Sequence, residues 1–191
     1  MTAARINLMD FDEEGLRSFF ESMGERPFRA QQLLKWVYHQ GVTDFGQMTN
    51  LGLDLRHRLQ ELAVIEPPRI LSEQQSADGT TKWLMGFGGG NAVETVFIPE
   101  PSRGTLCISS QVGCALNCTF CSTGAQGFNR NLGAAEIVGQ VWHANSVLPR
   151  RDNEAEDFVV TNVVFMGMGE PLANYRQVVP ALSLLISDWA Y

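Results

Sequence analysis

Within the stretch Leu106 to Arg130, LCISSQVGCALNCTFCSTGAQGFNR, three of the chain's four cysteines, Cys114, Cys118 and Cys121, stand at C-x3-C-x2-C spacing. The fourth, Cys107, lies seven residues upstream of Cys114. Three thiolates that close in sequence can hold one metal centre from a single loop. A closed tetrahedral zinc site takes four N or S ligands, usually as two separated pairs, and no second C-x2-C or H-x3-5-H follows downstream. A four-iron cubane ordinarily takes four cysteines, at spacings unlike this one. Three ligands leave one iron open to a substrate or cofactor, which points to catalysis more than to electron transfer. Zinc with Cys107 as fourth ligand, or a set of buried unpaired thiols, are the alternatives.

Composition bounds the setting for that chemistry. The chain has 191 residues, enough for one sizeable core or a small domain plus part of a larger one. It has no apolar run near the ~20 residues that a membrane span needs. Its N-terminus, MTAARINLMDFDEEG, lacks the basic and apolar segments of a signal peptide. A cytoplasmic location is expected, and clustered cysteines there read as metal or redox chemistry and not as a disulfide framework. The formal charge of −7 weighs against a nucleic-acid partner, because phosphate binding is driven by Lys and Arg. The distribution softens this. Arg26, Arg29, Lys35, Arg56 and Arg58 face only Asp44 and Asp54 over the same stretch, with His39 and His57 beside them. The run reads either as an RNA-contacting face or as a solvated helix surface.

The elements that must position the cysteines can be read from periodicity. Leu16, Phe19, Phe20 and Met23 recur as one helical face after Asp12, and Gly24 closes it. Pro27 suits a first helical position, Leu33, Leu34 and Val37 form a stripe, and Gly41 ends the helix. Trp36, Tyr38 and His39 read as core or core-edge residues of that helix, with base stacking the minority reading. A third helix follows Asn50 and carries Leu51, Leu55, Leu59 and Leu62. Pro67-Pro68 cannot continue a helix and marks a boundary. Residues 69–75 are a possible strand, and TKWLMGF and AVETVFI, joined by Gly88-Gly89-Gly90, predict a β-hairpin. It leads into a strand at TLCIS, residues 105–109, which feeds the cysteine loop.

Beyond the loop, Ile137, Val138, Val141 and Trp142 predict a helix over Ala134 to Val147, followed by a polar linker, PRRDNEAED. Thr161 to Met166 is a short apolar run like a buried parallel strand, and it ends in Gly167-Met-Gly-Glu-Pro171 before a helix over Asn174 to Ser187. Strand, helix, strand, helix implies a parallel sheet whose active edge lies at the C-terminal ends of the strands. Both the Cys loop and GMGEP fall at such ends. The predicted organisation is α/β: a helical domain over 1–66 that carries the candidate RNA-contacting face, a β-hairpin connector over 67–104, and the start of a partial (β/α) barrel with parallel strands over 105–191. The alternation stops after two units, too few to bury the edges of a barrel sheet, so the chain is expected to be the N-terminal part of a longer protein.

Cys114-Ala-Leu-Asn-Cys118-Thr-Phe-Cys121 resembles the cluster loop of radical S-adenosylmethionine (SAM) enzymes, including the aromatic residue before the last cysteine. The wider wording, SSQVGC and FCSTGAQGFNRNL, resembles the RlmN family of RNA methyltransferases, which act on C2 of an adenine in 23S ribosomal RNA and in certain tRNAs. The resemblance runs over the whole chain, and the family continues for a further stretch of comparable length. C2 of adenine lies between two ring nitrogens and is electron-poor, so polar transfer from SAM finds no nucleophile there. Radical chemistry removes the difficulty and needs a reductant able to cleave SAM.

The resemblance implies a role for each residue. Cys114, Cys118 and Cys121 match the ligands of a 4Fe-4S cluster whose open iron is chelated by SAM. Gly169 and Glu170 match the SAM-binding strand end, and a carboxylate can accept hydrogen bonds from the SAM ammonium; by itself GMGEP is also a plain strand-to-loop turn. Cys107 matches the family's resolving cysteine, which releases a protein–RNA link by forming a disulfide, and on its own is a small strand residue. Glu94 matches the family's proton acceptor, and on its own is an outward-facing strand residue. The family's methyl-carrying cysteine has no counterpart, since no Cys follows Cys121, so the 191-residue chain alone is expected to be inactive. A flavodoxin-type reductant, a monomeric state and no membrane partner are further expectations. The alternatives are a related enzyme that methylates C8 of the same adenine and a non-catalytic RNA-binding or zinc-stabilised module.

Overall fold

The computed structural model describes residues 5–149 and 159–191. The chain divides into two compact units, Met1–Glu66 with Pro180–Tyr191, and Pro67–Val179.

The first unit is mainly helical. Helix α1 (Glu13–Ser22) starts where the Asp12 carboxylate accepts the Gly15 N–H at 2.8 Å, satisfying one of the orphan donors of a helix N-terminus. It buries Leu16 and Phe20. Helix α2 (Arg29–Leu34) begins two residues after Pro27, and Lys35–His39 then widen into a π-turn in place of the single continuous helix expected. Leu33, Leu34, Val37 and Tyr38 are buried from this segment. Helix α3 (Leu53–Leu62) buries Leu55 and Leu59. Leu62, expected on the same stripe, is instead half exposed. The chain leaves the helix at Ala63 to pair a short strand β2 (Ala63–Val64) in parallel with β1 (Ile6–Asn7), so Ala63 and Ile65 take over the buried positions. The C-terminal residues belong to this unit: the Tyr191 and Tyr38 rings lie 5.2 Å apart, and Lys35 Nζ sits 4.7 Å above the Trp189 ring.

The second unit is an α/β layer. Strands β3 (Arg69–Gln75), β4 (Thr81–Gly86), β5 (Ala92–Glu100) and β6 (Arg103–Cys107) run antiparallel in sequence order. After the residues of the Cys loop, β9 (Asn162–Val164) adds in parallel to β6, with Cys107 opposite Val164. The hairpin strands, β6 and β9 therefore form one five-stranded sheet, and β6 ends two residues earlier than the TLCIS reading implies. Strand alternation puts Trp83, Met85, Val93, Thr95, Phe97 and Leu106 on one buried face. Helix α5 (Ala134–Val147) covers that face with Ile137, Val138, Val141 and Ala144, and its His143 ring meets the Trp83 indole edge-on at 5.4 Å. Burial of these side chains stabilises the layer by about 1.5–3 kcal/mol each before entropy is counted.

The β6–α5–β9 crossover is the βαβ unit expected, and it is the parallel part of the sheet. Asn162–Val164 is shorter than the Thr161 to Met166 run, and Met166 is 80% exposed. The last helix, α6 (Tyr175–Leu185), is preceded by a 3-10 turn over Pro171–Asn174. The polar linker PRRDNEAED lies, apart from Pro149, outside the described residues. No helix among the described residues is long and apolar enough to cross a membrane.

Candidate functional site

The site is built where β6 ends. The parallel ladder runs one step past Cys107, with the Ile108 N–H bonded to the Val164 carbonyl at 2.9 Å. The GMGEP segment then lies along residues 108–111: Gly167 N–H donates to the Ile108 carbonyl at 3.0 Å, and Ser110 and Gln111 both donate to the Met168 carbonyl, at 2.8 and 3.2 Å. Glu170 N–H donates to Gln111 Oε1 at 3.0 Å, and the Glu170 carboxylate caps the following turn by accepting the Leu172 N–H at 3.1 Å. Gly169 has φ 94°, and a Cβ there would stand 2.7 Å from the Gln111 backbone nitrogen. Only glycine allows this approach at this φ. GMGEP and the segment 108–111 that leads into the Cys loop, separate in sequence, are thus joined by main-chain hydrogen bonds.

The Cys loop is clasped by a small hairpin that periodicity did not reveal. Strand β7 (Gln111–Gly113) pairs antiparallel with β8 (Phe128–Asn131), and Cys114 follows β7 directly. Gly113, at φ 74°, comes so close to the Gly127 carbonyl that no side chain fits, and Cys114 N–H donates to that same carbonyl at 3.2 Å. Cys121 N–H turns back to the Cys118 carbonyl at 3.0 Å and Cys121 leads into a short helix, α4 (Ser122–Ala125). The Gly124 N–H, then the Thr123 N–H, hold the Cys121 thiol below the ordinary thiol range, as amides at a helix start favour thiolate.

All four cysteines are free and partly exposed. Among the described residues no three His, Cys, Asp or Glu side chains are drawn into a ready-made metal cage. The donor set nonetheless suits a thiolate-ligated centre: three free thiols on one clasped loop, one of them biased toward the anion. Cys107 stands apart from that loop, in β6 opposite Val96 on one side and Val164 on the other. Burial pushes its thiol up, opposed by the Met166 N–H that points at it.

Glu94 and Val96 share a face of β5 by alternation, and Cys107 is the partner of Val96, so Glu94 and Cys107 lie on the same side of the sheet, away from α5. Glu94 is exposed, as its outward strand position implies, and pairs with Lys82 Nζ at 3.0 Å. The basic run of the first unit is partly occupied internally. Arg29 and Arg58 both reach Glu25, at 3.8 and 3.2 Å, and Arg56 donates to the Gly46 carbonyl at 2.7 Å.

Three residues that hold the site together have no role assigned by the sequence: Ser109 and Gln111, inside SSQVGC, and Gln140. Gln111 bridges Glu170 and Asn131. The signal that identifies Gln140 is its place in the stripe Ile137, Gln140, Val141, Ala144, where a polar residue interrupts an apolar face.

Comparison with known proteins finds relatives in sequence and fold. Residues 6–65 match the family "Ribosomal RNA large subunit methyltransferase N-terminal domain". A radical SAM methyltransferase from Sphaerobacter thermophilus is similar over 96% of the chain, with 37% identity and a TM-score of 0.82. The chain spans 53% of that protein's length. With the matched domain followed by a sheet that joins a three-cysteine loop to a Gly-Glu turn, the chain is an RlmN-type N-terminal portion, related to the radical SAM methyltransferases.

Proposed function

We propose that this chain is part of a radical SAM methyltransferase that methylates C2 of adenine in 23S rRNA and in tRNA. The observation that carries the reading is the hydrogen-bonded junction of Ile108–Gln111, which leads into the Cys114-Cys118-Cys121 loop, with the Gly167–Glu170 turn. In this reading Cys114, Cys118 and Cys121 would hold a 4Fe-4S cluster from one loop, and Gly169 and Glu170 would bind SAM. Such a cluster would supply the one-electron reduction that radical methylation from SAM requires. Glu170 offers a carboxylate to the SAM ammonium, and Gly169 lets the turn that carries it pack against Gln111.

Glu94 accepts a proton, a task supported by its exposure and by a single ion pair that substrate can displace. Cys107, on the same sheet face, is the resolving thiol. Burial raises its pKa, so a base must take its proton before it attacks a partner sulfur. The 1–66 domain contacts RNA, a flavodoxin-type donor feeds the cluster, and the protein works as a cytoplasmic monomer. Strands β6 and β9, joined through α5, begin a (β/α) barrel over residues 105–191.

The test is iron and sulfide content with electron paramagnetic resonance on the anaerobically reconstituted protein, with and without SAM. A four-iron signal that shifts on adding SAM, and its loss in Cys118→Ala, is the expected result. Stoichiometric zinc, a colourless protein, or iron content unchanged in Cys118→Ala overturns it. In the full-length enzyme Cys107→Ala should accumulate a covalent protein–RNA adduct; free turnover by that variant removes the resolving role.

A further inference from the structure

One fully buried polar side chain has no part in the chemistry above. Gln140, on α5, has no exposed surface and uses every hydrogen-bonding capacity of its carboxamide. Its Oε1 accepts from Thr95 Oγ1 and from the Ser109 N–H, both at 2.8 Å. Its Nε2 donates to the Ser109 carbonyl at 2.9 Å and to the Glu136 carbonyl at 3.1 Å. The side chain therefore pairs with both backbone groups of Ser109, as a neighbouring strand would, two residues beyond the last ladder residue of β6.

This leaves the Ser109 hydroxyl free for a different task. Ser109 Oγ donates to the Glu94 carbonyl at 2.7 Å and accepts the Met168 N–H at 2.8 Å. One hydroxyl thus ties the backbone of Glu94 to the residue just before Gly169-Glu170. The Ser109 backbone that carries this hydroxyl is held by Gln140.

We propose that Gln140 is a positioning residue, acting through Ser109, that fixes the Glu94 backbone against the Gly169-Glu170 turn. The inference rests on the proposed roles of Glu94, Gly169 and Glu170, while the coupling itself is a property of the fold. A carboxamide is required, because only it presents an acceptor and a donor side by side. Glutamate has no donor for the Ser109 and Glu136 carbonyls, and leucine has neither group, so either leaves buried groups unpaired.

The test is site-resolved amide hydrogen exchange and SAM affinity on the reconstituted protein for Gln140→Leu, Gln140→Glu, Ser109→Ala and the double variant Gln140→Leu/Ser109→Ala. In Gln140→Leu and Ser109→Ala, exchange at Met168 and Glu170 should accelerate about tenfold or more, with the β3–β4 amides unchanged. SAM affinity should fall by a similar factor in both, and the double variant should be no worse than the poorer single one. Gln140→Glu should recover protection only at a pH low enough to protonate its carboxyl. Uniform loss of protection across the sheet, or additive effects in the double variant, overturns the proposal. If Gln140→Leu does not fold, Ser109→Ala decides alone: unchanged exchange at Met168 overturns it. A wild-type protein that fails to bind SAM yet shows the exchange coupling refutes the functional reading and leaves the positioning role standing.

Discussion

The side-chain oxygen of Gln111 accepts the backbone N–H of Glu170 at 3.0 Å. Gln111 is the first residue of the strand that delivers Cys114, and Glu170 ends the Gly-Glu pair, so one amide couples the two motifs. Its Nε2 also donates to Asn131 Oδ1 at 2.8 Å, across the hairpin that clasps the loop. Gln111→Leu should lower stability by about 1–3 kcal/mol, the cost of leaving buried partners unpaired. Urea unfolding checks the stability, and binding of S-adenosylhomocysteine, expected to weaken, checks the coupling.

Gly169→Ala meets two obstacles at once. The residue has φ 94°, and the added Cβ would lie 2.5 Å from Gln111 Cβ. A positive φ alone costs an alanine about 1–2 kcal/mol, and the contact forces the turn away from β7 as well. The expected outcome is a melting temperature lower by at least ~2–4 °C, with SAM binding reduced more than tenfold. Calorimetry measures both, and unaltered SAM affinity contradicts the assigned role of the turn.

Gly113→Ala strikes the clasp of the cysteine loop. The Gly127 carbonyl occupies the space of its Cβ, and the Cys114 N–H bonds to that same carbonyl. Exchange protection should vanish from β7 and β8 while β3, β4 and β5 keep theirs. Iron uptake on reconstitution should fall with it; full iron loading would mean that the hairpin is dispensable for ligation.

Cys121 and Cys107 are shifted in opposite directions, the first lowered by the Gly124 and Thr123 amides and the second raised by burial. Thiolate is the reactive form. In the cluster-free protein Cys121 should therefore be alkylated by iodoacetamide well before Cys107 at neutral pH. The gap should narrow as pH rises beyond the ordinary thiol range of about 8–9, where Cys107 ionises too. Peptide mass spectrometry over a pH series reads this directly, and faster labelling of Cys107 at pH 7 contradicts it.

Glu25 is shared by Arg29 and Arg58. Glu25→Gln removes the carboxylate they share and one negative charge, while Arg58 keeps the Met23 carbonyl and Asp54 and Arg29 keeps Gln32. Stability should fall by no more than about 1 kcal/mol, as for partly exposed ion pairs. RNA affinity at low salt should rise and its salt dependence steepen. Filter binding across a salt series checks this; unchanged binding removes that face of α2 and α3 from the RNA interface.

Much of the architecture is legible in local pattern. The helical stripes around Leu16, Leu33 and Leu55, the Pro67-Pro68 break, the glycine-joined hairpin and the β6–α5–β9 unit all follow from periodicities of 3.6 and 2. C-x3-C-x2-C and GMGEP are local too, so their residues could be named without coordinates. Other features depend on partners distant in sequence. The exposure of Leu62 depends on pairing between Ala63 and Ile6, and the π-turn at Lys35–His39 has no local signature. The β7–β8 clasp is too short for periodicity to register.

Residue types and spacings alone mark the three-cysteine loop as a candidate ligand set, because it is written in consecutive residues, while the Gly-Glu turn is marked only by the resemblance. Only the tertiary structure decided how they meet. The Cys107–Val96 pairing puts Glu94 and Cys107 on one sheet face, and Gln140, Ser109 and Gln111 close the junction by hydrogen bonds spanning 15 to 59 residues. Such bonds form between groups that only folding brings into reach, and a buried amide must satisfy its donors and acceptors wherever the fold provides partners.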